Sequence, residues 1–206
     1  MANPREAWLW SIGPQPDGST PLELEDAEGL VPTWVATRGD LNQAEYDSIT
    51  TALPWALKRA RAIGPLAVLD DRFLLELHRR MFADVWRWSG ALRRRETNVG
   101  VAPHRIVADT RQAVDDARYW HAQEVYPPTE LAVRLHYRLV TIHPFRNGNG
   151  RATRLLADLY LAARALPALP WGASGQDREA TRTAYLAAIR RAALDDCASL
   201  IEFARS

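Results

Sequence analysis

At 206 residues the chain is long enough to bury a core, and its length fits one domain carrying a small N-terminal extension. Its 26 basic and 25 acidic residues cancel to a formal net charge of +1, which points away from nucleic acid as a partner. Cys197 is the single cysteine, which excludes a disulfide framework; no apolar run reaches membrane-span length, and residues 1–11 lack the pattern of a signal peptide, so a cytoplasmic protein with no membrane contact is expected.

Residues 1–39 read as an irregular extension broken by Pro4, Pro14, Pro16, Pro21 and Pro32, with Trp8 and Trp10 packing on the main body. Within it, Glu23 to Gly29 is acidic and fits one short helix that stops at Gly29. The main domain, 40–206, opens with Asp40 and Gln43 in capping-box spacing, predicting a helix to about Leu53. Pro54 then starts or kinks a second segment, which Gly64-Pro65 ends. Asp70 or Asp71 caps a further helix through Trp86, with Phe73, Leu74, Leu77, Met81 and Val85 at helical spacing. His78 lies within it and has no ligand-type partner one turn away, so it is assigned to packing.

Between Trp88 and Ile106 the helical period fails. Turn residues Ser89-Gly90, Asn98 and Gly100, with Thr97, Val99 and Val101 alternating, predict a short exposed β-hairpin. Arg93-Arg94-Arg95 is read as a solvated surface run. Helices resume from Asp109 or Thr110 to about Glu124, and from Thr129 to His143 with Leu131, Leu135 and Leu139 on one face. A helix from Arg151 to about Ala165 has a strong apolar face and should be central; two amphipathic helices, about 177–194 and 195–205, close the chain. Trp171 is assigned to packing in the connector before them, and Cys197, with no base nearby in sequence, to structure.

The densest chemistry lies in His143-Pro144-Phe145-Arg146-Asn147-Gly148-Asn149-Gly150-Arg151-Ala152-Thr153-Arg154. Pro144 ends the preceding helix and leaves the His143 imidazole at a corner. The glycines allow positive φ and close backbone approach before the next helix, whose first N–H groups and dipole favour an anion. Arg151 and Arg154, three apart, can reach different phosphates of one polyphosphate. A base beside a polyphosphate cradle suggests transfer from a nucleotide to a hydroxyl.

This stretch resembles the signature of the Fic (Fido-domain) family, HPFx(D/E)GNGRxxR, departing from it only at Asn147. The resemblance implies an all-α, Fic-type helical bundle with a β-hairpin flap beside the active-site loop, and transfer of AMP from ATP to a Ser, Thr or Tyr hydroxyl of a target protein. It implies His143 as general base, Phe145 as anchor, Gly148, Asn149, Gly150, Arg151 and Arg154 as the ATP-phosphate site, and Thr97, Asn98, Val99 and Gly100 as the target-docking flap. It implies Asn147 as a Mg²⁺ ligand, although a neutral amide replaces the usual carboxylate. Many members carry an inhibitory glutamate that pairs with the second signature arginine, here Arg154; Glu28-Gly29 matches half of that pattern and makes Glu28 the candidate. Relatives that transfer phosphate or phosphocholine, or remove AMP, supply the enzymatic alternative. The N-terminal part is similar to the branch called mobile mystery protein B, which implies an antitoxin-like regulator and, as a third reading, a nucleotide-binding component whose chemistry has lapsed.

Overall fold

The computed structural model describes residues 22–173 and 177–206; the Trp8 and Trp10 expectation lies outside them. Among the described residues the secondary structure is helical: α1 (Leu24–Ala27), α2 (Arg38–Ile63), α3 (Pro65–Val68), α4 (Asp71–Phe82), α5 (Ile106–Ala122), α6 (Pro128–Ile142), α7 (Asn149–Ala162), α8 (Arg178–Ala192) and α9 (Ala198–Arg205), with a 3₁₀ turn at Pro103–Arg105.

The α6–α7 hairpin is the axis of the bundle, because its helices carry apolar side chains around most of their circumference. Leu131, Ala132, Leu135, Leu139 and Ile142 of α6 and Ala152, Leu156, Ala157, Leu159 and Tyr160 of α7 are all buried in one core. Against α7 lie α2, α3 and α4, and against the other side of α6 lies α5. α8 and α9 add a smaller cluster through Ala188, Ala192, Cys197, Leu200 and Ala204, which closes over Val133 of α6. Cys197 is buried with burial raising its thiol pKa, in keeping with a structural role. No helix of the described residues is long and apolar enough to cross a membrane.

Several boundaries differ from the sequence reading for local reasons. α2 begins three residues early because Asp40 is not the cap but the third helical residue: its N–H binds Thr37 Oγ1 at 3.1 Å, and its carboxylate takes the Thr37 N–H at 2.9 Å. The helix then continues through Pro54 as one element of 26 residues. Thr50 and Thr51, where the proline removes a hydrogen bond, are exposed, so water can satisfy the orphaned carbonyl. α4 starts on the Asp70 cap as expected but stops at Phe82, and Trp86 instead bridges to Leu30 in the N-terminal segment. That segment belongs to the same core, since Leu22, Ala27, Leu30 and Val35 are buried in it.

The expected β-hairpin does not form. Residues 93–102 have no strand, and sheet-type pairing among the described residues is confined to single bridges, Leu30 with Trp86 and Leu92 with Phe145. The reason is a side chain. Arg93 donates to the carbonyls of Arg95 (2.8 Å) and Val101, so groups that a cross-strand ladder would use are bound to a guanidinium instead. The 93–101 segment is therefore a loop closed around an arginine.

Candidate active site

The corner between α6 and α7 is built so that the imidazole and the helix start face one region. His143 caps α6 in the left-handed conformation (φ 57°, ψ 60°), and the following proline prevents the helix from running on. Its Nδ1–H donates to the Val140 carbonyl at 3.3 Å, the tautomer in which Nε2 carries the basic lone pair. The ring is largely buried, and burial, together with the nearby Arg93 charge, lowers its pKa to about 4 although the Val140 bond opposes the shift. At neutral pH it is an uncharged base.

The loop after it is rigid for reasons that can be read atom by atom. Phe145 is fully buried and stacks on His78, with ring centroids 3.7 Å apart. His78 accepts the Gly90 N–H on Nδ1 (2.9 Å), so its Nε2–H donates to the Asn147 carbonyl (3.0 Å). Burial holds this imidazole neutral, with a pKa of about 3. Asn149 closes the loop internally: Oδ1 accepts the Phe145 N–H and Nδ2 donates to the Phe145 carbonyl, both at 2.8 Å. Asn149 therefore shapes the corner with its side chain, leaving its main chain to the helix start. At Gly148 (φ 77°) a Cβ would lie 2.6 Å from the Phe82 ring, so the corner needs a glycine twice over.

α7 begins without a capping side chain. The N–H groups of Asn149, Gly150 and Arg151 lie in its first turn, where no helical carbonyl reaches them, and the helix dipole adds to their partial charge. Arg151 and Arg154 flank this start. Arg151 pairs with the buried Glu45 of α2 (2.8 Å) and lies over the Phe82 ring; Glu45 also accepts the Trp86 indole N–H at 2.8 Å. Arg154 lies over Tyr185 of α8, its guanidinium 4.8 Å from the ring centroid, and burial chiefly lowers its pKa.

Behind Arg154 runs a relay whose direction is fixed by its far end. Thr153 Oγ1 donates to the Asn149 carbonyl (2.8 Å), so His136 Nδ1–H donates to Thr153 Oγ1 (2.9 Å), and His136 Nε2 accepts from the Tyr185 hydroxyl (3.1 Å). The Tyr185 oxygen then presents its lone pairs to Arg154. Burial of His136 pushes its pKa well below the usual histidine value. The second arginine is thus keyed to the same helix start whose N–H groups it flanks.

Residues 68–161, which contain this corner, match the Fic/DOC family. The chain belongs to the Fic/DOC family. Over 158 residues it is 30% identical to a protein adenylyltransferase Fic of Nematostella vectensis, covering 73% of this chain and 36% of that relative. The chain spans about a third or less of the length of the curated relatives it matches. Fic-1 from Caenorhabditis elegans superposes with a TM-score of 0.62 at 23% identity, covering 89% of this chain and 54% of that one. BepC of Bartonella tribocorum, solved with bound AMPPNP, gives 0.62 at 16% identity, covering 83% and 87%. At these identities the superpositions establish a Fic-type fold.

The structure gathers His143, Gly148, Asn149, Gly150, Arg151 and Arg154 at one corner. Asn147 is there too, but its Oδ1 accepts the Gly148 N–H at 2.6 Å, and among the described residues no cluster of three His, Cys, Asp or Glu could hold a metal. One neutral, already engaged oxygen does not fit a resident Mg²⁺. Thr97, Asn98, Val99 and Gly100 form the outer part of the Arg93 loop, with Thr97 Oγ1 donating to the Val99 carbonyl (2.6 Å). Glu28 is exposed at the end of α1, and the ion pairs of the described residues do not include one between Glu28 and Arg154. The acids of α1 that reach the signature are Glu25 and Asp26, which pair with Arg146 at 3.2 and 3.3 Å. Asp26 is fully buried and pairs also with Arg95.

Sequence reasoning missed Arg93, assigned to a solvated run but only 2% exposed, and Glu45 and Tyr185, which it did not single out. Nothing local separates Arg93 from Arg94 and Arg95. Glu45 and Tyr185 reach the signature arginines from helices that are remote in sequence, which no spacing rule detects.

Proposed function

We propose that the chain is a protein adenylyltransferase that transfers AMP from ATP to a hydroxyl side chain of a target protein. The observation that carries this reading is the uncapped start of α7, flanked by two arginines, at one corner with a histidine that is neutral at physiological pH. The adenylyltransferase names of the relatives and the nucleotide bound in BepC support it.

His143 Nε2 takes the proton of the target hydroxyl as its oxygen attacks the α-phosphorus; the bond from that phosphorus to the bridging oxygen breaks, and pyrophosphate leaves. The α7 N–H groups and Arg151 stabilise the charge that builds on the phosphates, and Arg154 holds the departing end. Arg151 must exchange Glu45 for phosphate to do so. A Mg²⁺ ion accompanying ATP would enter as part of the substrate and would neutralise phosphate charge without a ligand from Asn147. The target segment lies along Thr97, Asn98, Val99 and Gly100, the loop whose Gly100 backbone packs against His143. Residues 1–39 serve regulation, alone or with an antitoxin-like protein partner, and the reaction belongs in the cytoplasm.

Incubation with target-containing lysate and ATP labelled on the α- or the γ-phosphate tests this. Transfer of α-label that His143→Ala abolishes is the expected result. Transfer of γ-label would make the chain a phosphoryl transferase, and ATP binding with no transfer would make it a nucleotide-binding component.

A further inference from the structure

Arg93 is one of the largest fully buried side chains of the molecule, although it is an arginine and sits between a half-buried leucine and an exposed arginine. A buried guanidinium needs partners, and its partners here are main-chain carbonyls from three places. Nε donates to the carbonyl of His143 at 2.7 Å, and Nη2 to those of Val101 and, at 3.4 Å, Ile142. Nη1 takes the carbonyl of Arg95 at 2.8 Å. Its own N–H donates to the Pro144 carbonyl at 2.9 Å, and the Val101 N–H to that of Ile142 at 3.2 Å.

The carbonyls of Ile142 and His143 are the last of α6, where no further helical N–H is available and a cation is favoured by the dipole. Between these carbonyls His143 holds the left-handed conformation (φ 57°), which non-glycine residues adopt uncommonly. At the other face, a Cβ on Gly100 would lie 2.6 Å from Arg93 Nη2 and 2.7 Å from His143 Cβ, so the loop backbone is pressed against the catalytic residue.

Resting on the adenylyltransferase reading, we propose that Arg93 is the positioning residue of the general base: its planar fork holds the main chain of His143 and both feet of the target loop in one register. It does not touch nucleotide or target, and it acts through His143. Lysine cannot replace it, because one ammonium cannot span carbonyls on three segments. A base misplaced by about 1 Å loses on the order of a hundredfold in rate while leaving the nucleotide's own contacts intact.

The test compares Arg93→Lys with Gly100→Ala, which leaves the arginine but displaces its fork and the histidine. In both variants kcat for α-label transfer should fall by about tenfold to a hundredfold, with the Kd for ATP within about twofold of wild type by calorimetry, the split that a positioning role requires. Should Arg93→Lys fail to fold, Gly100→Ala carries the test alone. Wild-type kcat in a folded Arg93→Lys variant, or a loss of ATP affinity that accounts for the whole loss of rate, would overturn the proposal. A readout without catalysis keeps it separate from the function: the His143 ring and amide resonances should move in both variants while the Trp171 indole N–H, which donates to Asp158 from a ring packed edge-on against His136 of the Arg154 relay, stays in place. If the wild type transfers no label and these shifts appear, the adenylyltransferase reading fails and the positioning of His143 stands; unmoved His143 resonances sink the positioning role whatever the chemistry.

Discussion

The two ends of the 143–154 stretch are held by different chemistry. At the histidine end the restraints are main-chain carbonyls gathered by Arg93 and the Asn149 amide bonds to Phe145. At the phosphate end they are side chains, Glu45 on Arg151 and the Tyr185–His136–Thr153 relay beside Arg154. The first kind of restraint engages main-chain groups and leaves the imidazole Nε2 and the α7 N–H groups out of it, so it does not compete with a ligand at the corner. The second kind does, since phosphate oxygens want the same guanidinium hydrogens that Glu45 occupies. The corner thus pairs a fixed base with arginines that can change partners, and variants at the two ends should separate rate from affinity.

The largest separation is expected at the base itself. His143→Ala removes the proton acceptor and should lower kcat for AMP transfer by about 10² to 10⁴, while ATP affinity measured by calorimetry stays near wild type. A parallel fall in affinity would mean that the ring binds nucleotide rather than takes a proton.

Acid should act on the fold before it acts on the base. The folded pKa values of His78 and His143 are about 3 and about 4, and that of His136 is also depressed, against about 6.5 for an unfolded histidine. Between pH 6.5 and those values the unfolded chain binds protons that the folded chain refuses. The stability held above pH 6.5 is therefore lost as pH falls, by about 1.4 kcal/mol per histidine per pH unit in that window. Urea unfolding at pH 7.5 and 5.5 should show it as a lower midpoint in acid. The acid limb of kcat/KM should lie near 4 where the protein stays folded; a limb near 6.5 would show a solvated histidine and contradict the burial.

A smaller effect is expected at the phosphate end. Tyr185→Phe keeps the ring under Arg154 and removes the hydroxyl that joins it to His136, at a cost of about 1.5–3 kcal/mol for a hydrogen bond to a charged group. KM for ATP should rise about tenfold or more with kcat little changed. An equal fall in kcat would place Arg154 on the transition state rather than on the bound nucleotide.

How much of this was legible depended on whether the information was local. The α6–α7 hairpin was readable because Leu131, Leu135 and Leu139, then Leu155, Leu156, Leu159 and Tyr160, repeat at helical spacing on either side of a Pro/Gly corner. The family of the signature was readable because its fixed residues are contiguous. The flap was misread because Thr97, Val99 and Val101 do alternate, and the arginine that claims the Arg95 and Val101 carbonyls looks like two others beside it. Asp40 was recognised as a helix-start residue but assigned to the wrong position, since Thr37 gives the same pattern three residues earlier. His136 lies seven residues before His143, close to two helical turns away on α6, whereas its partner Tyr185 sits on a helix that only the tertiary fold brings there.

The smallest effect separates the acids of α1. Glu28 fits half of an inhibitory pattern, yet it is exposed at the C-terminal end of a four-residue helix. The neighbours that touch the signature do so at Arg146, a position the family pattern leaves open. Exposed carboxylates with no fixed partner contribute little. Glu28→Gly should therefore leave both α-label transfer and ATP affinity at wild-type values when measured side by side. A gain in transfer would instead mean that Glu28 reaches Arg154 in a second arrangement of the N-terminal segment, and the contrast between a fixed histidine end and an exchangeable arginine end would then extend to α1.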